Sequence, residues 1–133
     1  MSANETGKAS NNATTTVTSF ANDIPIPSYL LAIAIGDLEY RSLGERVGVI
    51  TEPSQMNATV AELEDMSSFL DKLEAYMGPY IWGNYTILIL PPSFPLGGME
   101  NPLLTFASPT IIVGDKSQVD VVIHEMAHSW TGN

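Results

Sequence analysis

The clearest hydrophobic pattern in this chain lies between Asn57 and Gly78, where apolar residues recur every three or four positions. That spacing aligns them along one face of an α-helix, and acidic residues, Glu62 among them, fall on the other side. Asn57 suits the start of such a helix, and Gly78-Pro79 suits its end. We therefore predict one long amphipathic helix that packs on a core through these residues: Val60, Leu63, Met66, Phe69, Leu70, Leu73, Tyr76 and Met77.

Shorter apolar stretches predict β-strands on both sides of this helix. Tyr29 to Ile35 is apolar without interruption, which is typical of a buried strand. Leu38 to Ser42, Arg46 to Thr51 and Tyr85 to Leu90 are predicted as further strands. Residues 103 to 113 are predicted as extended segments broken at a Ser-Pro pair. Such a mixture of elements indicates a layered α+β or α/β structure.

The first 23 residues differ from the rest of the chain. They consist mainly of Ser, Thr and Asn, with almost no large apolar side chain before Val17 and Phe20. A segment of this kind buries too little surface to offset the entropy lost on ordering. We predict a disordered tail over residues 1 to 23, with a short strand at Thr15 to Phe20 at most, and a folded domain over residues 24 to 133.

The C-terminal residues carry candidate chemistry. His124 and His128, the only histidines in the chain, flank Glu125 in the pattern His-Glu-x-x-His. Apolar residues spaced by three and four from Val119 to Trp130 predict a helix, which Asp115 or Ser117 would cap. Positions i and i+4 share a helix face, so both imidazoles can reach one zinc ion, with the carboxylate of Glu125 beside it as a general base. The alternative is a polar patch on a half-buried helix.

Composition narrows the choice of partners. The absence of cysteine leaves only His, Asp and Glu to hold a metal. The net charge of −10 argues against a nucleic acid partner and mildly favours a substrate with a free amine. An acidic surface that aids solubility is the more ordinary explanation of that charge. We expect no membrane span, since no apolar run is long enough. We also expect no secretory signal, since the first residues contain no apolar region, and hence a cytoplasmic location.

A second candidate site lies in the stretch from Gly97 to Glu100. Two adjacent glycines allow another backbone to approach closely, so this edge could hydrogen-bond a peptide. The carboxylate of Glu100, placed near a metal, could then bind the protonated α-amine of a peptide and so fix where the substrate begins. Such a site would be that of an exopeptidase. The alternative is a glycine turn followed by a surface glutamate.

Together, Gly97-Gly-Met-Glu-Asn101 and His124-Glu-Met-Ala-His128 resemble the gluzincin family of zinc aminopeptidases. Six further segments are similar to its leukotriene A4 hydrolase and aminopeptidase B branch: Ile26–Tyr29, Gly78–Gly83, Leu90–Pro95, Asn101–Phe106, Gly114–Ser117 and His128–Asn133. The resemblance implies an α+β fold, the N-terminal part of a thermolysin-like catalytic domain. It implies that His124 and His128 ligate one zinc ion and that Glu125 activates a zinc-bound water.

The same resemblance implies roles for the glycine stretch. Gly97, Gly98 and Met99 would bind the peptide, and Glu100 would bind its free N-terminus. Leu96 departs from the branch, which usually has an aromatic residue there.

The family also has parts that these 133 residues lack: a third zinc ligand, a tyrosine that stabilises the reaction intermediate, and flanking domains. We therefore expect a fragment, truncated just after the zinc-motif helix and inactive in isolation. Two alternatives stay open. One is a non-catalytic product that binds peptides or a partner, and the other is a degenerate remnant without function.

Overall fold

The computed structural model describes residues 1 to 133. The chain forms seven strands and three α-helices, which confirms the α+β class. The strands are β1 (Asn4–Asn12), β2 (Thr15–Ala21), β3 (Glu39–Ser42), β4 (Val47–Thr51), β5 (Tyr85–Ile89), β6 (Gly98–Met99) and β7 (Thr105–Ala107). The helices are α1 (Met56–Leu63), α2 (Met66–Met77) and α3 (Asp120–Ala127). No helix is both long enough and apolar enough to span a lipid bilayer.

A five-stranded mixed sheet organises the fold, in the order β3-β4-β5-β7-β6. The three central strands β4, β5 and β7 run parallel, and the outer strands β3 and β6 are antiparallel to their neighbours. Val49 and Ile87 are fully buried at the centre of the sheet. Such nearly continuous apolar strands are typical of a sheet covered on both faces. The strands predicted at residues 38 to 42, 46 to 51 and 85 to 90 are confirmed within one residue at each end.

The predicted long helix consists of two shorter ones, α1 and α2, separated by Glu64 and Asp65. Leu63, Met66 and Leu70 are buried as the pattern requires, and the chain leaves α2 at Gly78 with a φ of +101°. A positive φ of this size favours glycine and ends a helix. The stripe was thus predicted correctly except at Tyr76, whose side chain is 89% exposed, and the continuity of the helix was predicted wrongly.

The position of Glu62 corrects the prediction that it faces solvent. The residue is only 2% exposed, and its two carboxylate oxygens accept hydrogen bonds from the backbone N–H groups of Gly114 and Lys116, at 2.7 and 2.8 Å. A buried carboxylate is tolerated when such donors replace its water. Glu62 therefore ties α1 to the loop that leads into α3.

The prediction of a buried strand over Tyr29 to Ile35 is wrong. Ser28–Leu30 is a single 3-10 turn, and the residues after it are extended without a neighbouring strand. Leu31, Ile33 and Ile35 are exposed while Leu30 and Ala32 are buried. An apolar run alone does not distinguish burial on one side from burial on both.

The N-terminal residues form an antiparallel hairpin, β1 with β2, where a disordered tail was predicted, and β2 includes the short strand predicted at Thr15 to Phe20. The side chain of Asn12 accepts hydrogen bonds from the N–H groups of Thr14 and Thr15, which closes the turn. Ser2 is buried and exchanges hydrogen bonds with Ala32. Backbone pairing thus orders a segment whose side chains are almost all exposed. The division of the chain at residue 24 stays a prediction.

Candidate metal centre

Helix α3 presents the two histidines because its opposite side is anchored in the core. Val122 and Met126, one turn apart, are fully buried. His124 is exposed and His128, which follows the last residue of the helix, is half-buried. The predicted helix is confirmed, but neither predicted residue caps it. The helix begins at Asp120, and the carboxylate of Asp115 instead accepts a hydrogen bond from the N–H of Ser117.

The two imidazoles converge on one point. Their Nε2 atoms are 3.2 Å apart, and the ring planes are nearly perpendicular at 89°. Two nitrogens bound to one tetrahedral zinc ion, each at about 2.0–2.1 Å, would be about 3.3 Å apart. The pair therefore has the separation that a shared metal ion requires.

The other nitrogen of the His128 ring has a partner of its own. Nδ1 lies 2.8 Å from the carbonyl oxygen of Thr131. A carbonyl can only accept, so Nδ1 must donate, and the proton of the neutral ring is then on Nδ1. This leaves Nε2 without a proton, so that its lone pair is free, as a metal ligand requires.

Glu125 is buried beside the histidines, with only 7% of its surface exposed. Burial raises the pKa of its carboxyl group, and the nearby charge of Glu100 adds to this, while His124 and His128 act in the opposite direction. The carboxylate packs directly on the α-carbon of Gly98, where a Cβ atom would overlap it. The close packing of α3 on β6 thus depends on a glycine at position 98.

The strand that carries Gly98 forms one edge of the central sheet. β6 pairs with β7 on one side only, with Met99 opposite Phe106. The N–H of Ser108 donates to the carbonyl of Gly97, which fixes the start of this edge. The other side of β6 has no strand beside it, as the prediction of a peptide-binding edge requires.

Glu100 follows this edge and reaches the histidine cluster. One ligand atom each from Glu100, Glu125 and His128 lie within 4.8 Å of one another. The structure therefore brings together Glu100, Glu125 and both histidines, with Gly98 in contact with Glu125. Gly97 and Met99 are the chain neighbours of Gly98. The amide nitrogen of the adjacent Asn101 is buried without a hydrogen-bond partner.

Sequence reasoning missed the residues that attach the segment after α3 to the rest of the fold. Trp82 and Trp130 donate hydrogen bonds that bind the segment after α3 to the loop before β5. The sequence alone could have suggested that each tryptophan donates a hydrogen bond, because an indole N–H that becomes buried needs an acceptor. The acceptors themselves lie about fifty positions away in the chain and follow no local pattern.

The chain is similar in sequence and in fold to known proteins. Residues 58–133 match the model of the peptidase family M1 domain. Leucine aminopeptidase 2 of Chaetomium globosum is 54% identical over 115 residues, which are 86% of this chain and 19% of that protein. The native leukotriene A4 hydrolase of Saccharomyces cerevisiae is 42% identical with a TM-score of 0.85, over 95% of this chain and 20% of that one.

A more distant solved structure has the same fold. An M1 zinc metallopeptidase from Deinococcus radiodurans is 26% identical with a TM-score of 0.74, over 98% of this chain and 30% of that one. The chain spans about a fifth of the length of the curated relatives it matches.

Proposed function

The chain belongs to peptidase family M1, and on that premise we propose that it carries part of the active site of a zinc aminopeptidase, which removes residues from the N-terminus of peptides. The observation that supports this most is the convergence of two imidazoles, with Nε2 atoms 3.2 Å apart, and two carboxylates beside His128. Residues 24 to 133 are proposed as the catalytic part. The cytoplasmic location stays a prediction.

The metal ligands within this chain are proposed to be His124 and His128, for one zinc ion. When bound, zinc polarises a carbonyl oxygen and makes a water molecule acidic enough to react near neutral pH. Catalytic zinc sites commonly use three protein ligands, and we propose that the third is not among these 133 residues. Glu100 and Glu125, which lie close together beside His128, are assigned other roles.

Glu125 is proposed as the general base. Its carboxylate is adjacent to the ligand pair, and burial raises its pKa, which brings it closer to the range where a group both accepts and donates protons. It would take a proton from the attacking water and return it to the nitrogen of the departing amine. The contact with Gly98 holds the carboxylate in this position.

Glu100 and the edge of β6 are proposed to bind the substrate. The unpaired side of Gly98 and Met99 offers backbone groups to an extended peptide. Glu100 lies at the end of that edge, close to Glu125, where its charge would bind the protonated α-amine. A carboxylate there fixes the distance between the free N-terminus and the bond that is cut, which restricts cleavage to the first residue.

The test measures hydrolysis of an aminoacyl arylamide by the full-length polypeptide, meaning the complete protein that contains these 133 residues. We expect Glu125→Gln to lower kcat by more than about 100-fold while KM changes little, because it removes the base and keeps the shape. Glu100→Gln should raise KM strongly for substrates with a free amine, and N-acetylated substrates should be inactive with the unsubstituted protein.

The dissociation constant for Co²⁺, a spectroscopic substitute for zinc, separates these roles. Glu100→Gln should leave it within about threefold, whereas His128→Ala should weaken it by orders of magnitude. Loss of metal binding in Glu100→Gln would overturn the assigned role of Glu100. Peptide binding without any hydrolysis would favour a non-catalytic peptide-binding protein.

A further inference from the structure

Two tryptophans fasten the segment after α3 to a loop far away in sequence. The Nε1–H of Trp82 donates to the carbonyl of Ser129 at 3.0 Å, and the Nε1–H of Trp130 donates to the carbonyl of Gly78 at 2.9 Å. Each segment thus provides one indole and one carbonyl. We call this reciprocal pair, Trp82 with Trp130, the indole clasp. The ring of Tyr80, in the same loop as Trp82, lies 5.5 Å from that of Trp130.

The segment held by the indole clasp is the one that touches His128. Thr131 accepts the hydrogen bond of Nδ1, and Gly132 passes so close that a Cβ atom there would lie 2.8 Å from Nδ1. Gly132 also has a φ of +120°, which favours glycine. The turn from Ser129 to Gly132 therefore wraps around one side of the imidazole ring.

We propose that Trp82 and Trp130 are positioning residues for the metal ligand His128, an inference that rests on the proposed function. By fixing the turn, they hold the carbonyl of Thr131 against Nδ1, which sets both the rotation of the ring and its tautomer. Nε2 then keeps its lone pair free for the metal ion. Partners that orient a ligating histidine typically change metal affinity by about 10–100-fold.

A purely structural role for the clasp is the alternative, because a buried indole N–H needs an acceptor in any case. The two roles predict different results for Trp82→Phe and Trp130→Phe, which keep an aromatic ring and remove the N–H. The matched control is Tyr85→Phe. Tyr85 is also buried, and its hydroxyl donates to Val122 on α3 without touching the turn.

The first measurement is the Co²⁺ dissociation constant of the metal-free full-length polypeptide. We expect Trp82→Phe and Trp130→Phe each to weaken binding by about 10-fold or more, and Tyr85→Phe to leave it within about twofold at a comparable loss of thermal stability. Equal affinities for the indole variants and the unsubstituted protein would overturn the proposal. Equal weakening in the control would do the same, because the effect would then follow stability alone.

The second measurement needs no metal. In ¹⁵N-histidine spectra of the metal-free protein, at a pH where both rings are neutral, His128 should be the Nδ1–H tautomer. In the indole variants it should shift toward the Nε2–H tautomer, while the control keeps Nδ1–H. An unchanged tautomer in both variants would contradict the proposal. If the unsubstituted protein bound no Co²⁺, the proposed function would fail, and the tautomer would still decide the role of the clasp.

Discussion

At position 98, even a methyl group would collide with the carboxylate of Glu125. The neighbouring Gly97 differs, because a Cβ atom there would lie 3.7 Å from Cγ1 of Val121, an ordinary contact. Two adjacent glycines that look equivalent in the sequence thus differ, because the structure excludes a Cβ atom only at position 98. Only Gly98 is in contact with the proposed base.

This contrast gives a prediction about single residues. Gly98→Ala should displace the Glu125 carboxylate and lower kcat by about 10–100-fold, since small misplacements of a catalytic group are costly. The Co²⁺ dissociation constant should change little, because neither histidine moves. Steady-state kinetics of the full-length polypeptide with an aminoacyl arylamide measures the effect. Gly97→Ala is the matched control, and a loss of kcat as large as that of Gly98→Ala would contradict the explanation.

At the level of secondary structure elements, the contact that we single out joins α1 to the loop before α3. Glu62 accepts two backbone hydrogen bonds from that loop, from Gly114 and Lys116. Lys116 also forms ion pairs with Glu64 and Asp65 through its side chain. The buried carboxylate lies in α1 and the exposed ion pairs involve the two residues just after it, yet the two kinds of contact should differ in energy.

We therefore predict that Glu62→Ala lowers the free energy of unfolding by about 1–3 kcal/mol. The substitution removes two hydrogen bonds to a charged group, and water can only partly replace the carboxylate as the acceptor for the N–H groups of Gly114 and Lys116. Glu62→Gln should cost about half as much, since one acceptor oxygen remains. Glu64→Ala is the control: its side chain is 61% exposed, and surface ion pairs contribute about 1 kcal/mol or less. Urea unfolding of the three variants measures the loss of unfolding free energy in each. Equal losses in Glu62→Ala and Glu64→Ala would contradict the prediction.

The same elements show what could be predicted from the sequence. Helix α3 and its two histidines were predicted because helical spacing is a local property. The inward position of Glu62 was not, since its partners lie more than fifty residues further on. The strand predicted over Tyr29 to Ile35 failed for the same reason: whether an apolar run pairs with another strand depends on distant parts of the chain.

For the molecule as a whole, the proposed site is assembled where α3 crosses the edge of the sheet. β6 brings Gly98 and Met99, the residue after it brings Glu100, and α3 brings the histidines with Glu125. The motifs identified every one of these residues, although only the fold determines how close they come. The indole clasp adds a third element to the same site, the loop from Gly78 to Trp82.

Two of the proposed zinc ligands lie within these 133 residues, and from this follows a prediction for the polypeptide in isolation. Two imidazoles should bind zinc much more weakly than the three ligands that catalytic sites commonly have. We expect the isolated 133 residues to show no zinc-dependent hydrolysis of aminoacyl arylamides, even when circular dichroism shows that they fold. The assay compares added zinc with added chelator, and Glu125→Gln is the control for trace contamination by other peptidases. Turnover that requires zinc and disappears in Glu125→Gln would contradict this prediction, because it would mean that a complete metal site exists within these residues.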